Sequence, residues 1–354
     1  MTRYGLLLTV AAMIWPVLGV AEGMLREHSL IQNVAGKSLQ RSYFSYVPKN
    51  VSPAPALVVV MHGSSSNARN MMHISNMNRL ADKFGFIVAY PQGSQDANGE
   101  TFFNVGYEFH RHEKVDDVDF VLSLVGKLQA LHNIDKNHVF ATGLSNGGEM
   151  SYLLACHASD LFRAVAPVAG SMMQNAISLC QPSRAIPILA ISGTNDPITR
   201  YSGDLENADG WGVYLGQDDT IDFWVRQYGL ECIESRPIAN THRPGDKNDS
   251  HIIFERYGRL GQTGAKNDTT LGTAEIWFYR VVNGGHDWPG FTPDPSISAS
   301  QRAGYEQMGL GKNQDIDASG EIWRFFSKWV TQDQAAFEFG ENMVTAPDSC
   351  SAPC

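Results

Sequence analysis

Apolar and polar positions follow two different periodicities along this chain. Short runs of β-branched and aromatic residues, typical of strands, alternate with longer stretches in which apolar residues recur every three or four positions, typical of helices. The predicted strands cover residues 42–47, 56–61, 86–90, 138–142, 164–168, 186–191 and 276–282. The predicted helices cover residues 70–83, 118–131, 147–158, 220–228 and 318–329. This order predicts an α/β fold, with a mostly parallel central sheet and helices on both faces.

Two long polar segments interrupt this pattern. Residues 199–218 and 235–274 are rich in Gly, Asn, Asp and Thr. We expect both to be surface loops inserted at the carboxyl edge of the sheet, where recognition usually takes place. Neither an internal repeat nor a linker-like stretch divides the chain. We therefore predict a single domain over residues 22–335, followed by a C-terminal tail over residues 336–354.

The amino terminus has the pattern of an export signal. Arg3 precedes an apolar run of 15 residues, and the small residues Gly19 and Ala21 close it before Glu22. Residues 1–21 are therefore predicted to be a cleaved signal peptide, and the product is predicted to be secreted or periplasmic. Later apolar runs are too short for a membrane helix, so we expect no association with a membrane.

The charge of the chain bears on its partners. It carries 27 Lys and Arg against 37 Asp and Glu, which gives a formal charge of −10. A negative surface repels the phosphate backbone of nucleic acids, so we expect no nucleic-acid partner. The sequence leaves the oligomeric state open.

The five cysteines fit an exported protein, because disulfides form outside the cytosol. Cys156 lies at the end of a predicted helix and Cys180 lies in a loop between predicted strands, and these places are neighbours in a doubly wound sheet. We therefore predict a disulfide between Cys156 and Cys180. Cys350 and Cys354 can bond to each other, which leaves Cys232 as the odd thiol, or either can bond to Cys232. The lack of a C-x-x-C pair argues against structural zinc.

A strand, a G-x-S-x-G sequence and a helix follow one another in residues 138–158. Gly143 and Gly147 flank Ser145. In a nucleophile elbow the serine lies on a strained turn, where side chains at the two glycine positions would collide with the strand and the helix. The short sequence alone carries little weight, but the flanking strand and helix are the context that the elbow requires. We predict that Ser145 is a nucleophile.

A serine hydroxyl becomes a good nucleophile when an imidazole accepts its proton and an acid orients the imidazole. In α/β-hydrolases these partners follow the serine in the order acid, then histidine, each after a later strand. Asp196 lies in the loop that leaves the strand 186–191, and His286 lies just after the strand 276–282. Each is also an ordinary loop residue by itself. The order and the context of all three residues favour catalytic roles.

The oxyanion of such a reaction needs two backbone N–H donors. Asn146, directly after the nucleophile, is expected to supply one. Ser64, in the loop after the strand 56–61, is expected to supply the other, with Gly63 allowing the backbone to turn. His62 precedes the elbow in the chain, so we interpret it as a loop-shaping residue and a candidate for substrate binding rather than as the base.

Aromatic residues near these loops are candidates for binding substrate. They are Phe102, Phe103, Tyr107 and Trp288. The sequence His110-Arg111-His112 has the residue types of a metal site, but an exposed polar loop explains it better. We expect neither a metal nor another cofactor.

These motifs together resemble secreted esterases of the polyhydroxybutyrate depolymerase and feruloyl esterase group, which have the α/β-hydrolase fold. The matching segments are residues 62–63, 90–93, 116–120, 143–148, 166–170, 193–197, 284–290, 315–318 and 321–323. The resemblance implies a triad of Ser145, Asp196 and His286, in agreement with the residues themselves. The family often pairs a cysteine near Cys232 with one after the following strand. Residues 257–260 contain none, which leaves Cys232 free or bonded to the tail.

The sequence therefore predicts a serine esterase that works through an acyl-enzyme. The resemblance implies short-chain hydroxyalkanoate esters or their oligomers as the leading substrates. Hydroxycinnamoyl or acetyl esters on plant polysaccharide are the alternative. A catalytically silent protein that binds carbohydrate or another partner on the same fold is an alternative of another class. The presence of all three catalytic residue types favours the enzyme.

Overall fold

A ten-stranded sheet forms the centre of the computed structural model, which describes residues 23–238, 250–259 and 274–330. The described strands are Met24–Val34 (β1), Lys37–Val47 (β2), Leu57–Met61 (β3), Ile87–Pro91 (β4), Ser94–Gln95 (β5), Thr101–Phe102 (β6), Val139–Leu144 (β7), Ala164–Val168 (β8), Ile188–Gly193 (β9), Glu231–Pro237 (β10), His251–Gly258 (β11) and Ile276–Val282 (β12). Strands β5 and β6 form a separate two-stranded sheet.

The large sheet has the order β1-β2-β4-β3-β7-β8-β9-β12-β11-β10. Its six central strands, from β4 to β12, are parallel to one another. Two antiparallel strands complete each edge. This arrangement confirms the mostly parallel central sheet that the sequence predicts.

The outer strands β1, β10 and β11 are the part of the sheet that the sequence does not predict. Strand β1 pairs along its whole length with β2, which extends the predicted strand 42–47 toward its amino end. Strand β11 lies within the segment 235–274, so the prediction of a loop is wrong for His251–Gly258. Its Ile252 and Phe254 are buried, whereas the residues between and after them are mostly half-buried. A strand with one buried face gives a weaker apolar signal than a strand that is buried on both faces.

Helices cover both faces of the sheet. They are Ala68–Ser75 (α1), Met77–Phe84 (α2), Asp117–His132 (α3), Asn146–His157 (α4), Gln174–Ile177 (α5), Gln217–Tyr228 (α6), Ala299–Met308 (α7) and Ala318–Ser327 (α8). The predicted helix 70–83 is two helices, because Asn76 takes a left-handed conformation with φ of 46°. The sequence also misses α7, none of whose residues is buried, so it carries no apolar stripe.

Two apolar cores lie on opposite faces of the sheet. Helices α3, α4 and α6 pack into one core, and α1, α2 and α8 pack into the other. Strand β3 supplies both, with Leu57, Val59 and Met61 in the first core and Val58 and Val60 in the second. A strand buried on both faces is apolar at every position, which explains the uninterrupted run in the sequence.

A disulfide joins Cys156, near the end of α4, to Cys180, and this is the pairing that the sequence predicts. The two residues are 24 positions apart, and the chain-entropy relation gives such a bridge about 3 kcal/mol of stabilisation. Cys232 also takes part in a disulfide, which excludes the alternative of a free thiol at this position. The predictions for Cys350 and Cys354 lie outside the described residues.

The predicted signal peptide and the predicted tail also lie outside the described residues. Within the described part of the chain, no helix combines the length and the apolar character that crossing a membrane requires.

Candidate active site

Ser145 lies on a sharp turn between β7 and α4. Its backbone has φ of 58° and ψ of −121°, a conformation that L-residues rarely adopt. A Cβ at Gly147 would lie 2.2 Å from the carbonyl oxygen of Met61, and one at Gly143 would lie 2.5 Å from the backbone of Gly147. Only glycine fits on either side of the serine, which is the physical basis of the G-x-S-x-G pattern.

Asp196 and His286 form a buried pair. Nδ1 of His286 donates to Oδ2 of Asp196 at 2.8 Å, and His286 is 4% exposed and Asp196 7% exposed. The other oxygen of Asp196 accepts the N–H groups of Ile198 and Thr199. Burial by itself lowers the pKa of His286, but the charge of Asp196 and its hydrogen bond outweigh this effect, so the pKa is raised. The pair therefore stabilises a positively charged imidazole.

All three residues lie at one edge of the sheet. Ser145 follows β7, Asp196 follows β9 and His286 follows β12, and these strands are parallel. Ser145 is half-buried at this edge. No hydrogen bond joins Ser145 Oγ to the His286 imidazole among the residues that the structure describes. Bonds of this kind are often long without substrate and tighten when it binds.

The loop that carries His286 is held from its carboxyl side. The N–H of His286 donates to the carbonyl of Met308 at 2.8 Å. The carboxylate of Asp287 accepts the backbone N–H groups of residues 311–313 at 2.6 to 3.1 Å. A Cβ at Gly285 would lie 2.7 Å from the Met308 carbonyl oxygen, so this close approach requires glycine. These contacts fix the imidazole above the end of β12.

Two backbone N–H groups are available next to the serine. Asn146 is the first residue of α4, where an N–H has no acceptor within its own helix. The N–H of Ser64 likewise donates to no group in the described ranges. The loop that contains Ser64 approaches Ser145 closely, since a Cβ at Gly63 would lie 3.2 Å from Cβ of Ser145.

One short segment, residues 101–104, contacts both the loop of Ser64 and the side chain of Asn146 at the start of α4. The N–H of Ser65 donates to the carbonyl of Thr101 at 2.7 Å, which attaches the loop of Ser64 to the segment. The side-chain oxygen of Asn146 accepts the N–H of Phe103 at 2.7 Å, and its amide donates to the Phe103 carbonyl at 3.0 Å. We call residues 101–104 the brace.

A buried ion pair holds the far end of the brace. The N–H of Asn104 donates to Asp117 at 2.7 Å, and the other carboxylate oxygen of Asp117 lies 2.5 Å from Nη2 of Arg41. The side chains of this pair are 0% and 2% exposed. Because an unpaired charge at such a position is costly, the two side chains fix each other and the brace.

His62 is a structural residue in the described site. It is 0% exposed, its Nδ1 donates to the Gly63 carbonyl at 2.7 Å, and its Nε2 accepts the N–H of Gly93 at 2.9 Å. Burial lowers its pKa to about 4, so the imidazole is neutral at neutral pH. These contacts agree with a loop-shaping role. They do not support the prediction that His62 contacts substrate.

The aromatic residues that the sequence nominates for substrate binding are also buried. Phe102 and Phe103 are 0% exposed, Tyr107 is 3% exposed and Trp288 is 1% exposed. The indole N–H of Trp288 donates to Ser319 at 3.0 Å, within the core that contains α8. Their hydrophobic surface is used in packing, and the expectation that they line the substrate site stays a prediction.

The segment His110-Arg111-His112 differs from the exposed loop that the sequence suggests. His110 is 4% exposed and its ring lies 3.7 Å from that of Phe102, so this residue is buried rather than part of an exposed loop. Throughout residues 23–238, 250–259 and 274–330, no group of three or more metal-ligating side chains comes together.

Glu149 is a buried carboxyl that sequence reasoning does not identify. It lies on α4, four residues after Ser145, and accepts a hydrogen bond from the hydroxyl of Tyr107. Burial raises its pKa to about 7. In a sequence, a glutamate within a helix is typical of a solvated surface. Only the tertiary contact with Tyr107 distinguishes this residue from an ordinary surface glutamate.

The serine on its elbow, the Asp196–His286 pair and the parallel sheet that carries them are features of α/β-hydrolases. The sequence model of the family described as "Esterase PHB depolymerase" matches residues 41–204. "Putative esterase NocK" of Nocardia uniformis subsp. tsuyamanensis is 30% identical over 274 residues, which are 73% of each chain. The chain belongs to this esterase family, and it is a carboxylic-ester hydrolase.

Other similar proteins agree with this family. "Poly(3-hydroxyalkanoate) depolymerase C" of Paucimonas lemoignei is 25% identical over 296 residues, which are 80% of this chain and 67% of that protein. Among solved structures, an acetyl xylan esterase from Aspergillus awamori has a TM-score of 0.53 at 16% identity and covers 81% of this chain and 99% of its own. The structural match supports the fold.

Proposed function

We propose that the enzyme cleaves esters through a Ser145–His286–Asp196 triad. His286 takes the proton of the Ser145 hydroxyl while the oxygen attacks the ester carbonyl, and Asp196 orients the imidazole through Nδ1. The tetrahedral intermediate collapses, the ester C–O bond breaks, and His286 gives its proton to the leaving alcohol. Water then attacks the acyl-enzyme. His286 takes a proton from this water and returns it to Oγ of Ser145 as the acyl group leaves. The observation that carries this proposal is the buried 2.8 Å Asp196–His286 hydrogen bond at the sheet edge of the Ser145 elbow.

We assign the oxyanion hole to the backbone N–H groups of Ser64 and Asn146. Two donors directed at the developing negative charge stabilise the transition state more than the ground state. The close approach of Gly63 to Ser145 supports this assignment, as does the lack of an acceptor for the Ser64 N–H among the described residues.

For substrate, we favour esters of short hydroxyalkanoic acids and their oligomers. The named depolymerase relative, which aligns with 80% of this chain, supports that choice. Feruloyl or acetylxylan ester hydrolysis is the second candidate. "Feruloyl esterase B" of Piromyces equi supports it over 54% of this chain and 35% of that protein.

We also propose that the enzyme is exported. Residues 1–21 would be removed as a signal peptide, and residues 22–335 would form the single catalytic domain. The Cys156–Cys180 disulfide supports an oxidising compartment.

The mechanism is tested with Ser145→Ala. We expect kcat/KM to fall by about a thousandfold or more, because the remaining groups cannot form an acyl-enzyme. Ser151→Ala is the matched control. Ser151 is a buried serine on α4, the helix that follows Ser145, and its hydroxyl donates to the Gly147 carbonyl. A fluorophosphonate should label wild type and Ser151→Ala but not Ser145→Ala. A Ser145→Ala protein that keeps more than about a tenth of the activity would remove Ser145 from the mechanism.

The substrate is tested with a panel of hydroxybutyrate oligomers, methyl ferulate and acetylated xylan, assayed with wild type and Ser145→Ala. The highest kcat/KM on hydroxybutyrate oligomers is the expected result. A preference for methyl ferulate or acetylated xylan would favour the second candidate and leave the mechanism unchanged.

A further inference from the structure

Residues 116–120, at the start of α3, form one of the segments on which the resemblance rests, and the proposed reaction uses none of them. The segment folds around Arg41, which is 3% exposed. Asp117 pairs with Nη2 of Arg41 at 2.5 Å, and the ring of Phe120 lies 3.8 Å from its guanidinium carbon. Gln32 accepts from Nη1 at 2.9 Å and donates to two further residues of the segment. The segment therefore encloses the guanidinium group.

The contacts of Asp117 assign a separate partner to each carboxylate oxygen. One oxygen faces Arg41, and the other accepts the backbone N–H of Asn104 at 2.7 Å. The guanidinium group is held in turn by Gln32 and by the carbonyl of Gln92, at 2.9 and 3.3 Å. Because both side chains of the ion pair are buried, water does not compete for these bonds. The acceptor for the Asn104 N–H is thus fixed in one place.

Asn104 connects Asp117 to the proposed oxyanion hole. It is the last residue of the brace, whose first residue bonds to the loop of Ser64 and whose third bonds to the side chain of Asn146. The side-chain amide of Asn104 also donates to the carbonyl of Val115, just before α3, at 3.0 Å. The brace is therefore held on one side by the two elements that carry the donors and on the other by the start of α3.

We propose that Asp117 is a positioning residue that sets the places of the two oxyanion donors through the brace. It acts by accepting the N–H of Asn104, and Arg41 orients its carboxylate. This proposal rests on the proposed oxyanion hole of Ser64 and Asn146. A displaced donor loses its bond to the charge that develops in the transition state, so the loss affects the transition state more than the bound substrate.

Two double variants test the proposal. Arg41→Met is combined with Asp117→Asn in one and with Asp117→Leu in the other. Removing both charges avoids the unpaired buried charge that either single substitution would leave. Asparagine keeps an oxygen for the Asn104 N–H, whereas leucine, of similar size, has none. The two proteins therefore differ in this one acceptor.

We expect the kcat of the asparagine double variant to exceed that of the leucine double variant by about tenfold or more, with KM values that agree within about twofold. Active sites are counted by titration with a fluorophosphonate to completion, so that misfolded protein does not enter kcat. Equal kcat values would overturn the proposal, as would a difference that falls on KM instead.

A trifluoromethyl ketone that resembles the substrate gives a second readout. Oγ of Ser145 adds to its carbonyl carbon, His286 takes the hydroxyl proton, and the oxyanion that forms occupies the oxyanion hole. The inhibition constant of the ketone should be about tenfold higher for the leucine double variant than for the asparagine double variant. A ratio of this inhibition constant to KM that is the same in both proteins would mean a general loss of packing and would overturn the proposal.

Asp117→Glu covers the case in which a double variant does not fold. It keeps the charge opposite Arg41 but displaces the carboxylate by one methylene group, so kcat should fall by about tenfold or more at similar KM. Asp116→Asn is the control. The side chain of Asp116 caps α3 by accepting the N–H of Asp119 at 2.9 Å, and asparagine caps helices equally well. An Asp117→Glu protein with the kcat of this control would overturn the proposal.

Failure of this proposal differs from failure of the proposed function. Equal kcat values for the two double variants, together with an inactive Ser145→Ala, reject the role of Asp117 alone. An active Ser145→Ala rejects the mechanism on which that role rests.

Discussion

Ser145 is held in a conformation that costs backbone energy. A non-glycine residue with φ of 58° and ψ of −121° is strained by about 1–3 kcal/mol. The N–H of Ser145 donates to the Val168 carbonyl at 2.8 Å, and its own carbonyl accepts the N–H of Glu149 at 2.9 Å. These two bonds lock the turn from β8 and from α4. Bonds to neighbouring elements therefore offset the strain. The turn keeps Oγ of Ser145 at the rim of the sheet.

This strain predicts a difference between two inactive variants. The free energy of unfolding of Ser145→Gly should exceed that of Ser145→Ala by about 1 kcal/mol, because glycine adopts this φ without a steric cost. Ser145→Gly should therefore unfold at a higher denaturant concentration. Both variants lack the proposed nucleophile, so activity does not enter the comparison. Urea melts of the two proteins measure the difference. Equal stability, or a less stable Ser145→Gly, would mean that the turn is not strained.

At the scale of elements, α4 and the brace of residues 101–104 act together. The first residue of α4, Asn146, carries one of the two proposed oxyanion donors in its backbone and holds the brace with its side chain. The same brace holds the loop of Ser64 through Thr101. The separation of the two proposed oxyanion donors is therefore set by a third segment that bears no catalytic group.

Asn146→Ala tests this arrangement, because it keeps the backbone N–H and removes both side-chain bonds to Phe103. We expect kcat to fall by about ten- to a hundredfold with little change in KM, since the loss affects the charge that develops in the transition state. Asn137→Ala is the control, at an exposed asparagine in the turn before β7. A rise in KM at unchanged kcat would place Asn146 in substrate binding instead.

The elements that carry the site could be predicted from the sequence because each leaves a strict local pattern. Strand β3 is apolar at every position, and the elbow demands glycine on both sides of Ser145. Asp196 and His286 follow from their places after predicted strands. Strand β11 depends on its pairing with distant strands, and the break at Asn76 depends on a left-handed residue; apolar periodicity reports neither.

Side-chain burial in the loops was the least predictable part. Aromatic residues near catalytic loops can line a pocket or fill a core, and both uses have the same sequence. Trp288 is buried because α8 and its Ser319 cover it, 31 residues further along the chain. Glu149 is buried because Tyr107 reaches it from 42 residues away. Contacts of this kind arise only when distant segments are packed together.

At the scale of the whole molecule, polar contacts connect one side of the sheet with the site. Arg41 on β2 donates to the carbonyl of Gln92 and pairs with Asp117 at the start of α3. The side chain of Gln92 lies 3.3 Å from Nε2 of His62, and the next residue, Gly93, donates to the same nitrogen. His62 therefore joins this network to the loop of Ser64. Its protonation state is coupled to the stability of the fold.

The stability of the protein should consequently fall in mild acid through His62. The unfolded chain binds a proton at this residue below about pH 6.5, whereas burial lowers the folded pKa to about 4. Stabilisation by neutral His62 is complete above pH 6.5 and is lost as the pH falls toward 4. The loss reaches about 2–3 kcal/mol by about pH 4.5.

His62→Gln isolates this contribution, because every other titrating group is shared with wild type. Glutamine cannot be protonated, so the free energies of unfolding of the two proteins should converge as the pH falls from about 7 to about 4.5, by about 2–3 kcal/mol. Urea denaturation at both values measures this change. The variant is expected to be less stable at pH 7, since it loses the bonds to Gly63 and Gly93. A stability difference that does not vary with pH would mean that folding leaves the pKa of His62 unchanged, which would contradict the buried neutral bridge between Gly63 and Gly93.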